Sequence, residues 1–222
     1  MMKPAATKPP LAPRNLWDIS PAIDTRAAVF PGDAAYSQTL HFSLGPGCPV
    51  NVNTITMSPH TGAHADAPLH YANGQPTIGD VDIAPYLGPC RVIHCLDSGA
   101  LVEPGHIAHA LSDLPQRVLL RTSLQASQSW DRFTAIAPDT MQLLVDNCAS
   151  GLLLVGIDTP SVDPSTSQDL PSHHQLLRLD LRVLENLVLD DVAEGDYELI
   201  ALPLKLVQAD ASPVRAVLRE IT

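Results

Sequence analysis

The stretch Ser58-Pro-His-Thr-Gly-Ala-His-Ala-Asp-Ala-Pro-Leu-His70 decides how the chain is read. It holds His60, His64, Asp66 and His70 within eleven positions, a dense set of ligands for a first-row metal ion. All four positions are even-numbered. Along an extended strand alternate side chains share a face, so even spacing aligns them. On a helix His60 and His64 would align, but Asp66 would lie about 200° from His64 at about 100° per residue. Gly62 and Pro68 also oppose one helix through the segment. The spacing predicts an extended run from Val50 to Thr56 that enters a bent loop gathering the ligands. Pro68 interrupts any flat strand before His70, which sets that ring apart for a different task. A single histidine is usually just a satisfied polar residue. Three of them with a carboxylate at this density point to a metal, and such a metal turns water into a nucleophile near neutral pH.

Outward from this segment, the chain alternates short apolar runs with turn signals. Strands are expected at Leu16–Ser20, Val50–Thr56, Pro89–Leu96, Arg117–Arg121, Leu152–Ile157, Val183–Leu189, Tyr197–Leu202 and Val214–Ile221. Leu152–Ile157 is almost wholly apolar, as in a strand covered on both faces. Phe30-Pro-Gly-Asp33 signals a turn. Helices are expected at Pro104–Leu111, Pro138–Asn147 and His173–Leu179, with Pro104 near a first turn and Asp139 favouring a helix start. Strands interleaved with few helices predict a single α/β domain on a mixed sheet, spanning residues 16 to 222. Residues 1 to 15, with Lys3, Lys8, Arg14 and four prolines, read as a flexible tail and not as a secretory signal.

Composition narrows the partners. The formal net charge of −11, with no Lys- or Arg-rich run, argues against nucleic acid and anionic membrane. No apolar stretch approaches the roughly 20 residues of a membrane helix. Cys48, Cys90, Cys95 and Cys148 lack CxxC spacing and read as free, buried or half-buried thiols, which fits a cytoplasmic location. Only 4% of residues are aromatic, so the core is expected to be Leu, Val, Ile and Ala.

A second segment, Ser172-His-His-Gln-Leu-Leu-Arg-Leu-Asp-Leu-Arg-Val-Leu-Glu185, is the best source of further ligands. His173 and Glu185 are twelve residues apart, about 18 Å along a continuous helix. To share a site, the chain must leave the helix near Asp180 and return as a strand. Glu185 then lies in a Val- and Leu-rich strand, where a carboxylate is costly unless paired or metal-bound. His174 competes with His173, and physics alone leaves both open. His106 and His109 are expected to be exposed on a surface helix, and His41 and His94 to be structural.

These residues resemble the signature of the metal-dependent cyclase family, with His60-Thr-Gly-Ala-His64-Ala-Asp66-Ala-Pro-Leu-His70 following His-x-Gly-Thr-His-x-Asp-x-Pro-x-His. Further segments extend the resemblance over residues 16 to 222 and favour the arylformamidase members. They include Leu16–Ser20, Leu87–His94, Gly156–Pro160, Gly195–Lys205 and Asp210–Val217. The resemblance implies a swivelling β/β/α fold with a barrel-like core and flanking helices, and a homodimer. It implies two zinc ions per subunit, with Mn²⁺ or Co²⁺ possible, held by His60, His64, Asp66, His173 and Glu185. There the twelve-residue spacing selects His173 over His174. It implies His70 as the general acid/base and N-formyl-L-kynurenine as substrate, split to L-kynurenine and formate by metal-activated hydroxide. Two positions depart from the pattern. Ala63 replaces Thr, and Phe30 stands where relatives carry a pocket-lining Trp, keeping an aromatic wall but losing an indole N–H. The competing readings are a family hydrolase or cyclase for another amide, carbamate or lactone, and a non-catalytic metal-binding protein. Structural zinc sites are closed, usually by thiolates and imidazoles, so the carboxylates here favour an open, reactive site.

Overall fold

Leu154-Val-Gly-Ile157 is apolar throughout and Arg117-Val-Leu-Leu-Arg121 has an apolar centre between two arginines, and both are strands in which every residue is buried. They form the middle of the fold. The computed structural model describes residues 15–221; the tail expected over residues 1 to 15 lies outside the described residues but for Asn15.

In chain order the strands are β1 (Leu16–Asp18), β2 (Ser37–Phe42), β3 (Val52–Thr56), β4 (His64–Asp66), β5 (Leu87–His94), β6 (Leu101–Val102), β7 (Arg117–Arg121), β8 (Ala135–Ile136), β9 (Leu154–Ile157), β10 (Arg182–Glu185), β11 (Gly195–Ile200), β12 (Ala211–Pro213) and β13 (Val217–Glu220). The α-helices are α1 (Pro68–Tyr71), α2 (Pro104–Ile107), α3 (Pro138–Asn147) and α4 (Pro171–Leu179). Each opens with a proline in its first turn, where the missing N–H would have had no helical partner.

A nine-stranded sheet runs β1-β13-β11-β5-β7-β9-β10-β4-β12 and curls into a half-barrel. Its centre, β5-β7-β9-β10, is parallel. Its flanks are antiparallel. Alternation along the strands sorts two cores. Ala65, Leu119, Leu154 and Leu184 face one way, towards Ile19, Tyr86 and Leu199. Val118, Leu120, Val155 and Val183 face the other way, onto Met141 and Leu144 of α3 and Leu176 of α4. Burial of each Val, Leu, Ile or Met side chain among them contributes about 1.5–3 kcal/mol. Gly156 permits the tight centre, because a Cβ there would stand 2.5 Å from a Leu119 methyl carbon.

Arg117–Arg121 and Pro138–Asn147 match their expected bounds, and most other elements shift by only a few residues. Three differ in kind. The strand expected through Leu189 stops at Glu185, because Asn186 turns left-handed at φ 57°. The closing strand is confined to Val217–Glu220, and Ala211–Pro213 forms a separate strand on the opposite edge. The Val50–Thr56 run does form β3, but it pairs with the unexpected β2 in a separate hairpin whose strand residues are all exposed.

Among the remaining histidines, His94 is half-buried and its Nε2 lies 2.9 Å from the Val192 carbonyl. His41, expected to be structural, is exposed on β2. His109 is exposed and pairs with Glu194. His106, expected to be exposed, is half-buried, and its Nδ1 accepts the Glu103 N–H at the start of α2. Among the described residues no helix is long and apolar enough to cross a membrane.

Candidate metal centre

Strand register builds the centre. In the β10–β4 pairing Glu185 stands opposite His64 and Val183 opposite Asp66. Residues directly opposite share a face, so His64, Asp66 and Glu185 project together on the side covered by α4. Gly62 shapes the entry to β4. It holds φ 70°, and a Cβ would meet Ile23 at 2.9 Å. Its carbonyl lies 2.9 Å from His64 Nδ1. A carbonyl only accepts, so His64 Nδ1–H donates and Nε2 turns its lone pair towards the carboxylates.

The helix expected from His173 ends at Leu179, and Asp180 caps it left-handed at φ 52°. The chain re-enters the sheet as β10, as the shared site requires. On α4 His173 is buried and His174 exposed, which separates the two candidates that physics alone left open. His173 Nδ1 lies 2.7 Å from Asp163 Oδ2, and Asp163 also accepts the backbone N–H groups of Ser172 and His173.

Asp66 sits at the centre, 1% exposed. Its Oδ1 lies 3.0 Å from His60 Nδ1 and 3.5 Å from His64 Nε2. Its Oδ2 lies 3.6 Å from His173 Nε2 and 3.9 Å from His70 Nε2. Glu185 repeats the pattern, with Oε2 3.2 Å from His64 Nε2 and Oε1 3.7 Å from His173 Nε2. Each carboxylate therefore offers one oxygen towards His64 and the other towards His173. Ligands about 2.0–2.2 Å from a zinc ion stand about 3–3.5 Å from one another, close to these separations.

The electrostatics call for a cation. Among the described residues, both oxygens of Asp66 and the Nε2 of His173 are buried without a hydrogen-bond partner. Among the described residues the ion pairs of Asp66 and Glu185 are with imidazoles alone, never with Lys or Arg. Two buried carboxylates in such a setting cost several kcal/mol unless charge is brought to them. Where no metal is bound, protons would supply that charge. Burial opposes a charged His60, but the Asp66 carboxylate and the hydrogen bond to Asp210 outweigh it and raise the imidazole to about 11. His173 rises to about 10 against the same burial, through Asp163 and then Asp66. Burial likewise works against an ionised Asp66, yet the surrounding imidazoles hold its carboxyl well below the usual range. A bound metal and these protons would compete for the same lone pairs. The His/Asp cluster is thus capable of binding a metal, with donor atoms of His60, His64 and Asp66 all within 4.8 Å of one another.

The structure brings together all six expected polar site residues. His70 enters from α1, and at 33% side-chain exposure it is the most open of the four rings. Phe30 lines a cavity of about 360 Å³ that opens onto His60, His64, His70, His173 and Glu185. Its ring packs edge-on against Trp130 at 5.2 Å. Trp130, Asp163 and Asp210 escaped the sequence reading. A lone Trp in a Ser-rich loop was one available signal. Asp163 carried none, and Asp210 entered only as the first residue of a segment of the resemblance, with no role attached, because what marks both is the histidine each meets in space.

A family model described as "Putative cyclase" matches residues 17–164. A kynurenine formamidase of Polaromonas naphthalenivorans is 74% identical over 94% of this chain and 92% of its own length. One from Bordetella petrii is 60% identical over 94% of this chain and 99% of its own. Among solved structures, a potential metal-dependent hydrolase with cyclase activity superposes with a TM-score of 0.79 at 27% identity, over 95% of this chain and all of its own. Isatin hydrolase A from Labrenzia aggregata, at 22% identity and a TM-score of 0.78 over 93% of each chain, shares the fold.

Proposed function

This chain belongs to the cyclase family and, within it, groups with the kynurenine formamidases, and on that premise we propose that it hydrolyses N-formyl-L-kynurenine to L-kynurenine and formate. The observation that carries the reading is the convergence of two segments a hundred residues apart on buried, unpartnered carboxylate and imidazole atoms beside an aromatic-walled cavity. His60, His64, Asp66, His173 and Glu185 would hold the metal. We infer two zinc ions per subunit, with Mn²⁺ or Co²⁺ able to replace them, because Asp66 and Glu185 each present oxygens to two sides. When bound, such ions act as Lewis acids and bring the pKa of water towards about 7.

The chain's own groups do the rest. Phe30 and Trp130, packed edge-on against each other at the cavity wall, give the substrate arene an aromatic surface to pack on. His70, open to the cavity, takes a proton as water attacks the formyl carbon. It returns the proton to the aryl nitrogen as the C–N bond breaks, because an anilide anion is a poor leaving group. Asp163 orients His173 by accepting from its Nδ1–H.

A homodimer is part of the proposal. Leu40, Phe42, Val52 and Ile55 of the β2–β3 hairpin are 40–56% exposed. A lone two-stranded hairpin is marginal in water, and a second copy would cover it. Free thiols and the small-molecule substrate fit a cytoplasmic location. The test is formate release from N-formyl-L-kynurenine against a panel of other amides and lactones, run alongside metal analysis. Turnover of another substrate at higher kcat/KM would overturn the assignment.

A further inference from the structure

Asp210 touches two rings with one oxygen. Its Oδ2 lies 3.0 Å from His60 Nε2 and 3.2 Å from His70 Nδ1. The residue is held from both sides. Its carbonyl accepts the Ala67 N–H at 2.8 Å, and the neighbouring Ala209 carbonyl accepts the Ile78 N–H at 2.9 Å. The next residue begins β12, where Ala211 pairs with Asp66 itself. Asp210 is therefore fixed to the strand that carries the central carboxylate, and its side chain bridges the turn bearing His60 and the helix bearing His70.

A carboxylate only accepts hydrogen bonds. The nitrogens that face it, His60 Nε2 and His70 Nδ1, must each carry the proton. In neutral rings the lone pairs then fall on the opposite nitrogens. These are His60 Nδ1, 3.0 Å from Asp66 Oδ1, and His70 Nε2, which points towards Asp66 Oδ2 at 3.9 Å. The two histidines thus use different nitrogens, and one acceptor accounts for both choices. Without it each ring is free to take the other tautomer, which turns an N–H towards the cluster where a lone pair is needed.

We propose that Asp210 is the positioning residue that sets the tautomers of His60 and His70 together, coupling the orientation of a metal ligand to that of the group that moves the proton. The inference rests on the roles given to those two rings under Proposed function. It differs from the Asp163–His173 contact, in which one carboxylate serves one ring.

The test compares the zinc-loaded parent with Asp210→Ala and Asp210→Asn. Long-range ¹H–¹⁵N spectra of ¹⁵N-histidine protein read the tautomers directly. In the parent, His60 should be protonated at Nε2 and His70 at Nδ1; in Asp210→Ala both signatures should become mixed or invert. Zinc affinity by chelator competition should fall about 10–100-fold, and kcat should fall by a similar factor with KM within about twofold. A residue that merely stabilised the fold would lower the melting temperature without changing the tautomers or splitting kcat from KM. If Asp210→Ala fails to fold, the isosteric Asp210→Asn carries the same reading. Unchanged tautomers in a folded variant, or unchanged kcat and zinc affinity, would overturn the proposal. A parent protein inactive on N-formyl-L-kynurenine would instead remove the substrate assignment and leave the tautomer and zinc measurements able to decide Asp210.

Discussion

Two strands of this molecule invert the usual rule in opposite senses. β4 buries a histidine and an aspartate completely, while β3 exposes Val52 and Ile55 to solvent. Each inversion marks something the chain cannot supply to itself. On β4 the missing partner is a cation, because orphaned carboxylate oxygens surrounded by lone pairs attract positive charge. On β3, in the homodimer proposed above, it is an apolar surface, because exposed aliphatic side chains in an isolated hairpin gain by leaving water. Polar-inside and apolar-outside are thus the same kind of signal, and chemistry says which partner each awaits.

The sharpest way to break this contrast is to remove the buried charge. Asp66→Ala or His64→Ala should abolish bound metal and take activity to the uncatalysed level, a loss of at least about 10⁶-fold. Full activity in metal-free His64→Ala would show that β4 awaits no cation. His70→Ala comes next. Metal content should stay near that of the parent and kcat should fall about 10²–10⁴-fold. Simultaneous loss of metal would make His70 a ligand.

Chelation tests the same strand without mutation. Stripping metal should cost about 2.7 kcal/mol of stability for each site previously held at 100 times its Kd, seen as a lower melting temperature in calorimetry. An unchanged melting temperature would mean that the carboxylates are satisfied without an ion.

On the hairpin, Phe42→Asp or Ile55→Asp should convert a dimer into a monomer by light scattering while leaving metal content intact. A parent already monomeric at assay concentration would mean that no second copy covers β3. The smallest effect concerns Cys48, half-buried in the hairpin loop. Its modification by a thiol reagent should speed up several-fold in the Phe42→Asp monomer. Cys90 and Cys95 should stay silent in both forms, since burial pushes each thiol up to about 12.

Local periodicity carried far in the sequence. The shared face of His64 and Asp66 and the bounds of β7 and α3 follow from a few neighbouring residues, because strand and helix periods are short-range physics. The exposed β2, the burial of His173 with His174 left exposed, the place of Glu185 opposite His64 and the work of Asp163 and Asp210 came only with the tertiary structure. Each depends on which segments, ten to 150 residues apart, lie side by side. That register is set by the packing of two cores against one curled sheet, a property of the whole chain that no single stretch of it encodes.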